Sequence, residues 1–477
     1  MEQVNFLISK FSDFCVDNGL RFDFKFYNFV LKSNFKIIPE SKETISLIKI
    51  LIPNNKKLNY EEDKEYKGLP TGAEYYNENG DIIDVQIVTK DNHPDRLCYK
   101  LEKGDILISS LRGAKSPVLY VDFDNTDEYV ASNGFYVFKV KNADWNEKFV
   151  FYFLRTKFIR DILDNHLSSG IGISSYKESD LLRIKIPVIT LDIQNKILEK
   201  IKPLQEKINE YYKKIESLQD IIDDVFVKYE VKSKKFTDGQ GEHFPIKFQK
   251  IGENLFLRLG VQYYAFFEVH QGLLFDKNGK YKQVPLRRII KQYNAQILKK
   301  GILDKSYILI DLEQLEPKTG KIKDETNEVE EIGSDKVLFG DADIIISKID
   351  PYLAYVFIND KSKNYIGTTE LVPFKLINNN VNTHYLKYCL LSNEYITKSA
   401  LIMYGKRHPR LHTKDLLAVR IPLPDLEVQQ KIVSEIQQRE EKSNQYKEQI
   451  KKLREEIDDL IYYSLKCKTY AKRQDNF

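Results

Sequence analysis

The chain has 477 residues, 42% of them apolar, 12% aromatic and 30% charged, with 74 basic against 70 acidic side chains and a net charge of +4. That length exceeds one ordinary hydrophobic core and predicts two globular units with accessory helices, while the apolar share excludes a disordered chain. The near-balanced charge means that any nucleic-acid surface must be local. No apolar run reaches the roughly 18 to 20 residues of a membrane-spanning helix. The opening segment carries Glu2 and no basic cluster ahead of its apolar residues, so the expected location is cytoplasmic and unprocessed. Cys15, Cys98, Cys389 and Cys467 show no C-x-x-C spacing and read as structural thiols.

In chain order, Gly104–Ser109 and Gly134–Val140 are short apolar runs that predict buried strands. Residues 148–165 have helical periodicity without proline, and a polar, glycine-containing loop follows over Ser168–Lys177. The run DLLRIKIP at Asp180–Pro187 predicts a last strand. Beyond it Ile197, Ile201, Leu204, Ile208, Tyr211, Ile215, Leu218, Ile222 and Val225 alternate spacings of four and three, a heptad seam that needs a partner helix. Read as one helix from Ile193 to Phe226, it is roughly 51 Å long at about 1.5 Å per residue. The same order then recurs. Asp343–Ile349 and Leu371–Leu376 predict strands, Thr383–Met403 a helix, Tyr404–Lys414 a basic loop and DLLAVRIP at Asp415–Pro422 a strand. A second seam runs through Ile432, Ile436, Arg439, Ser443, Tyr446, Ile450, Leu453, Ile457 and Leu460, with polar breaks at Arg439 and Ser443.

These matches form an internal repeat offset by about 235 residues, too long for a solenoid and therefore a duplicated domain. Gln194–Ile197 matches Gln429–Ile432, and Ser217–Asp224 matches Lys452–Asp459, without a gap. Upstream, Gly104 and Asp105 pair with Gly340 and Asp341, Phe138 and Lys139 with Phe374 and Lys375, and Arg21–Tyr27 resembles Arg258–Tyr264. The copies differ most around residues 52–100 and 292–336. Two matching helices, each short of a core of its own, are expected to pack on each other antiparallel, because the intervening domain must return the chain.

Motifs for catalysis are missing. There is no G-x-x-x-x-G-K-[ST] phosphate loop, no G-x-G-x-x-G after a predicted strand and no Asn-Pro-Pro-Tyr or Asp-Pro-Pro-Tyr run of the kind amino-methyltransferases use to hold a flipped base. His408 and His412 are four apart, but Pro409 between them argues against a helix that would point both at a metal.

A unit ending in an Asp-Leu-x-x-x-x-Ile-Pro strand, followed by a Gln-x-x-Ile helix start and a heptad helix, all occurring twice, resembles the specificity subunit of type I restriction-modification systems. The resemblance spans nearly the whole chain. It implies an α+β protein in which two mixed α/β target-recognition domains form a pseudo-twofold repeat, separated by two long antiparallel coiled-coil helices. The expected boundaries are 1–190 for the first recognition domain, 191–228 for the first helix, 229–250 for a linker, 251–425 for the second recognition domain, 426–466 for the second helix and 467–477 for a tail. One departure from the family pattern lies at the first junction, where Ile186–Leu191 reads IPVITL and the second copy has the proline-rich IPLPDL at Ile421–Leu426.

The resemblance further implies a non-catalytic phage-defence subunit that binds a bipartite, asymmetric double-stranded DNA target and docks two methyltransferase subunits and a restriction subunit. S-adenosylmethionine, ATP and Mg would then sit on those partners. Its DNA contacts fall in the loop before the last strand: Ser168, Ser169, Gly170, Ser174, Ser175, Tyr176 and Lys177 in the first copy, and Lys406, Arg407, His408, Arg410, His412 and Lys414 in the second. Hydroxyls and glycine N–H groups suit phosphates, and the basic residues suit either charge neutralisation or base-edge contact. Arg112 and Lys115, with Lys348 and Tyr352 after the matching strand, are further candidates. The competing reading is a coiled-coil scaffold joining other proteins without DNA.

Overall fold

The structure is a computed structural model and describes residues 15–16, 19–20, 43–72, 75–76, 82–111, 118–163, 175–233, 261–275, 280–405 and 407–466. The chain forms two compact units, Met1–Lys213 with Glu448–Phe477, and Lys214–Lys447. Among the described residues no helix is long and apolar enough to cross a membrane.

In the first unit, after a short antiparallel pair of Cys15–Val16 with Gly19–Leu20, the strands are β1 (Thr44–Ser46), β2 (Leu51–Pro53), β3 (Tyr66–Leu69), β4 (Gln86–Val88), β5 (Leu97–Lys100), β6 (Ile106–Ser109), β7 (Val118–Tyr120), β8 (Tyr129–Ser132), β9 (Phe135–Val140) and β10 (Lys185–Pro187). They make an antiparallel sheet of order β2-β9-β6-β7, a second sheet of order β4-β3-β8-β5 and the pair β10-β1. In the second sheet β8 runs parallel to β3. Every residue of β6 is buried, as its unbroken apolar run requires. Helices α1 (Glu147–Arg155), α2 (Lys157–Asp161), α3 (Glu178–Leu182) and α4 (Leu191–Tyr212) complete this part of the chain.

The second unit opens with helix α5 (Leu218–Lys228). Its strands are β11 (Gln283–Pro285), β12 (Ile290–Gln292), β13 (Ile297–Leu298), β14 (Gly301–Leu309), β15 (Leu315–Glu316), β16 (Lys321–Ile322), β17 (Glu328–Ile332), β18 (Lys336–Leu338), β19 (Ile344–Ser347), β20 (Val356–Ile358), β21 (Tyr365–Thr368), β22 (Leu371–Leu376) and β23 (Arg420–Pro422). The topology repeats. The sheet β12-β22-β19-β20 corresponds to β2-β9-β6-β7, and β17-β14-β21-β18-β13 corresponds to β4-β3-β8-β5 with one strand added, again with a single parallel pair, β14 and β21. Even the added strand has a trace in the first unit, where Lys57 bridges Tyr99 of β5. The stretches that diverge most in sequence thus share one fold, and only the hairpin β15-β16 has no counterpart among the described residues. Helices α6 (Thr383–Leu391), α7 (Asn393–Ile402), α8 (Thr413–Ala418) and α9 (Leu426–Lys466) follow.

Each helix expected over 148–165 and 383–403 is in fact two. Thr156 ends α1 and caps α2, its Oγ1 donating to the Phe153 carbonyl at 2.8 Å and accepting from Ile159 N at 3.4 Å. Ser392 does the same between α6 and α7, with bonds to Cys389 O at 2.8 Å and from Tyr395 N at 3.2 Å. A hydroxyl that offers the backbone an alternative partner is what breaks the periodic run.

The first seam also is not a single helix, and its length as one rod does not stand. It breaks between Tyr212 and Leu218, where Ser217 takes an extended backbone and its Oγ accepts from Asp220 N at 3.1 Å. Ser217 with Asp220 three residues on is a capping signature, whereas the matched positions of the second copy, Lys452 and Glu455, supply no cap. α9 accordingly runs unbroken through 41 residues.

In the second unit α5 lies antiparallel to the Leu426–Lys447 part of α9: Lys228 pairs with Glu435 at 2.7 Å, Asp224 with Arg439 at 3.1 Å, and Glu216 N donates to Ser443 Oγ at 3.2 Å. The two polar seam residues therefore stand opposite the helix break, and Ser443 satisfies an N–H that the break frees. Ile222, Ile432 and Ile436 are buried in one core with Leu286, Phe374 and Tyr385 of the domain, so this seam belongs to the domain core as well as to the helix pair; Leu218 packs on it and Ile215 is half-buried. In the first unit Ile197, Ile201 and Ile208 of α4 and Ile450, Leu453 and Ile457 of α9 are buried, Leu204 is half-buried, and Arg454 donates to the Tyr212 hydroxyl at 3.4 Å.

One device recurs at the start of both long helices. Gln194, fully buried, donates from Nε2 to the carbonyls of Asp144 (2.8 Å) and Ile189 (3.1 Å) and accepts from Asn146 N at 2.8 Å. Gln429 makes the same three bonds, to Asn380 O (3.0 Å), to Pro424 O (2.8 Å) and from Asn382 N (2.8 Å). Because the junction supplies a backbone carbonyl, Ile189 serves where the second copy has Pro424. The sequence departure at the first junction leaves this latch intact.

Candidate nucleic-acid interface

In the second unit the site is built on the end of β19. Ser347 Oγ accepts from Ile349 N at 3.2 Å and turns the chain outward. Asp350 and Ala354 both adopt left-handed backbone angles (φ 45° and 46°), flanking the short turn Pro351–Leu353. Non-glycine residues adopt such angles only where the surroundings hold them. The basic loop supplies that support: Asp350 N donates to Pro409 O at 2.8 Å, Ile349 bridges Arg410, Leu411 N donates to Lys348 O at 2.7 Å, and Tyr404 and Arg410 exchange both backbone bonds at 2.8 Å.

The loop and the strand end, proposed from sequence as separate candidates, thus form one surface. Arg410 extends a guanidinium that is forked onto Glu370, from Nε at 3.1 Å and Nη2 at 2.9 Å, and Nη1 donates to the His408 carbonyl at 3.1 Å. Lys348 Nζ lies 3.8 Å from the same carboxylate. Tyr352 is exposed, its hydroxyl 3.5 Å from Asp350. Arg407, His408 and Lys414 are exposed. His412 stands at the start of α8 with its ring stacked on Tyr404, centroids 3.9 Å apart.

The first unit repeats the backbone of this site. Leu111 N donates to Ser109 Oγ at 3.2 Å as Ile349 N does to Ser347, Leu111 bridges Ser175 as Ile349 bridges Arg410, and Tyr176 N donates to Ser110 O at 3.3 Å as Leu411 N does to Lys348 O. Ser175 therefore occupies the place of Arg410, and Lys177 that of His412, both exposed. Tyr176, a candidate contact on sequence, is instead an anchor: it is 4% exposed, its hydroxyl donates to Ser109 O, and its carbonyl accepts from the Tyr136 hydroxyl at 2.7 Å. An aromatic residue facing inward with its polar handle satisfied belongs to the core. Ser168, Ser169, Gly170, Ser174, Arg112, Lys115 and Lys406 lie outside the described residues. Among the described residues no group of three or more His, Cys, Asp or Glu could hold a metal ion.

Glu370 is the site residue that sequence reasoning missed. The signal existed, since the match of Phe138 and Lys139 to Phe374 and Lys375 sets Glu370 opposite Gly134, an acid where the first copy has no side chain.

A family model for the type I restriction modification DNA specificity domain matches residues 33–219 and again 274–455. The chain belongs to that family, and is a DNA target-recognition subunit of the type I restriction-modification class. Among solved structures it is similar to the HsdS subunit from Thermoanaerobacter tengcongensis, at 15% identity and a TM-score of 0.35, and to the type I restriction-modification S subunit from M. genitalium, at 14% identity and a TM-score of 0.40. A chain from a structure concerned with complex assembly and conformational transition of the type I R-M system is similar at 15% identity and a TM-score of 0.40; each of the three comparisons covers 90% of this chain and 97% of the other. No curated protein matches the chain.

Proposed function

We propose that the chain is a cytoplasmic, non-catalytic subunit that binds double-stranded DNA at a bipartite, asymmetric target and directs partner methyltransferase and restriction subunits to it. The observation that carries this reading is the equivalence of Ser175 and Arg410: one backbone socket, built twice by the same hydrogen bonds, presents different side chains. A guanidinium selects the O6 and N7 of guanine whereas a serine hydroxyl donates or accepts at any base, so the two sockets discriminate differently and the expected target is not a palindrome. The exposed Ser175 and Lys177 in the first unit, with Lys348, Tyr352, Arg407, His408, Arg410, His412 and Lys414 in the second, form the DNA-facing set. S-adenosylmethionine, ATP and Mg belong to the partners, since nothing in the sequence supplies a cofactor loop. Co-expression with the cognate methyltransferase, followed by mapping of modified bases in the host genome, tests the reading. Two unlike short half-sites at a fixed gap are expected. A palindromic motif overturns the asymmetry of the target, and modification that does not depend on this chain overturns the reading and favours the scaffold.

A further inference from the structure

We propose that Arg410 reads a base edge and does not neutralise a phosphate, and that Glu370 is the positioning residue that aims it. The inference deepens the DNA-recognition reading above and rests on it.

A phosphate-binding cation works by charge and tolerates many geometries, whereas base readout needs donors fixed in direction. Arg410 is fixed twice over. Its backbone is held on one side by Tyr404 and on the other by Ile349, and Leu411 beyond it is bonded to Lys348 O. Its side chain is held by the fork onto Glu370, whose own N–H is 3.4 Å from Thr368 Oγ1 and whose carbonyl accepts from Lys348 N at 2.9 Å. The side chains of Arg410 and Glu370 are 37% and 21% exposed, so the pair sits at the surface with the carboxylate behind the guanidinium.

Two consequences follow from the bonding. The Glu370 carboxylate, which Arg410 shares with Lys348 at 3.8 Å, lowers the charge that Arg410 offers a phosphate without removing it, so it is the fixed direction of the remaining donors that favours a base edge. Of five guanidinium N–H donors, three are engaged by Glu370 and His408 O, leaving one on each terminal nitrogen. Two donors at that spacing fit a base edge with two acceptors, the O6 and N7 of guanine in the major groove. Arg407, exposed and without an ion pair among the described residues, is the contrasting case of a free cation suited to phosphate.

The test uses the chain assembled with its methyltransferase, comparing wild type with Arg410→Ala, Arg410→Lys, Glu370→Gln and Arg407→Ala. The readouts are the modified motif across the host genome and the salt dependence of binding to duplexes carrying that motif or one base change in it. Arg410→Lys keeps the charge and loses the fork. It is expected to relax discrimination at one guanine position as Arg410→Ala does, on the order of ten- to a hundredfold. Glu370→Gln is expected to relax the same position with an unchanged thermal midpoint. Arg407→Ala is expected to leave the motif intact and lower the log–log salt slope by about 0.9. If Arg410→Ala instead weakens all sequences alike and lowers the slope by that amount, or if Arg410→Lys or Glu370→Gln leaves the motif unchanged, the proposal is wrong although the recognition reading survives. Absence of any chain-dependent motif in the wild type would instead sink the recognition reading itself.

Discussion

Replacing Gln194 by Ala should lower the stability of the first unit by about 3 kcal/mol. Three hydrogen bonds of 2.8, 3.1 and 2.8 Å disappear, each with a net worth of about 0.5–1.5 kcal/mol. The larger effect is what they leave behind. Gln194 is wholly buried, so Asn146 N–H and the carbonyls of Asp144 and Ile189 lose that partner, and each orphaned group costs about 1–3 kcal/mol when fully deprived. Partial relaxation brings the sum to the lower figure. Trp145, the chain's single tryptophan, is buried between the two residues that Gln194 holds, Asp144 and Asn146, so its fluorescence reports on this unit. In urea titration at a slope of about 2–3 kcal/mol per molar, the midpoint should fall by about 1–1.5 M. Glu199→Ala, an exposed change on the same helix, should stay within about 0.5 kcal/mol. Gln194→Glu should be worse than Ala at neutral pH, because a carboxylate would face two carbonyls. That burial raises the folded pKa of the introduced acid, so its deficit should grow as pH rises above the ordinary carboxylate range. If Gln194→Ala shifts the midpoint no more than the Glu199 control, the latch holds nothing.

Other perturbations test separate links. Glu102 is held down to about 2 by Lys139 and Lys56; a depressed carboxylate stabilises the fold above its unfolded pKa of 4.5 and loses that contribution as pH falls toward 2. Urea midpoints measured across that window should fall less steeply for Glu102→Gln than for wild type. Ser217→Ala removes the cap at the helix break and should cost about 1 kcal/mol, read by hydrogen exchange at the Asp220 amide. A free Asp220 N–H that exchanges no faster would show that the cap is idle. The purified chain with S-adenosylmethionine should transfer no methyl groups to DNA, and robust transfer in a scintillation assay would contradict the non-catalytic role proposed above.

Elements set by local pattern were legible, and those set by distant partners were not. The β6 and β19 runs declared themselves because three successive apolar residues ahead of Ser109 and Ser347 are buried on both faces of the strand. Heptad spacing located the helices but hid the break at Ser217, since apolar periodicity continues through Ile215, Leu218 and Ile222 while the cap competes for the backbone. The parallel pairs β3 with β8 and β14 with β21 join strands separated by long insertions, so no short-range alternation announces them. At the site, the basic loop was legible as far as His412, but Lys414 lies in α8. The runs expected as strands at Asp180–Pro187 and Asp415–Pro422 open inside the helices α3 and α8, with strand only at Lys185–Pro187 and Arg420–Pro422. The sequence could not show that Tyr176 faces inward. Nor could it bring Glu370 against Arg410, a pairing made only when β22 lies beside β19.

The way the socket is built bears on how such a site can be retargeted. The bonds that hold the Ser175 and Arg410 segments to their strand ends are backbone bonds or come from Ser109, Ser347 and the inward-facing Tyr176, whose hydroxyl donates to Ser109 O. The Arg410 side chain adds its fork onto Glu370 and a bond to the His408 carbonyl, but that of Ser175 contributes none of that support among the described residues and projects from a surface already folded without it. Specificity can therefore change there at little cost in stability. The exception is Glu370, which exchanges that independence for aim: it fixes Arg410 but commits the second unit to a guanidinium. Placing arginine at Ser175 would set the same side chain in the same socket with Gly134, not an acid, behind it. That variant should gain non-specific affinity and salt slope by about 0.9 without gaining a guanine position. A Cβ at Gly134 would meet the Thr71 side chain at 2.9 Å, so Ser175→Arg is combined with Gly134→Glu and Thr71→Ala, and that triple variant should gain both a guanine position and the aim it needs. Recognition of a new guanine by Ser175→Arg alone would show that the socket aims its side chain without an acid and that Glu370 is dispensable.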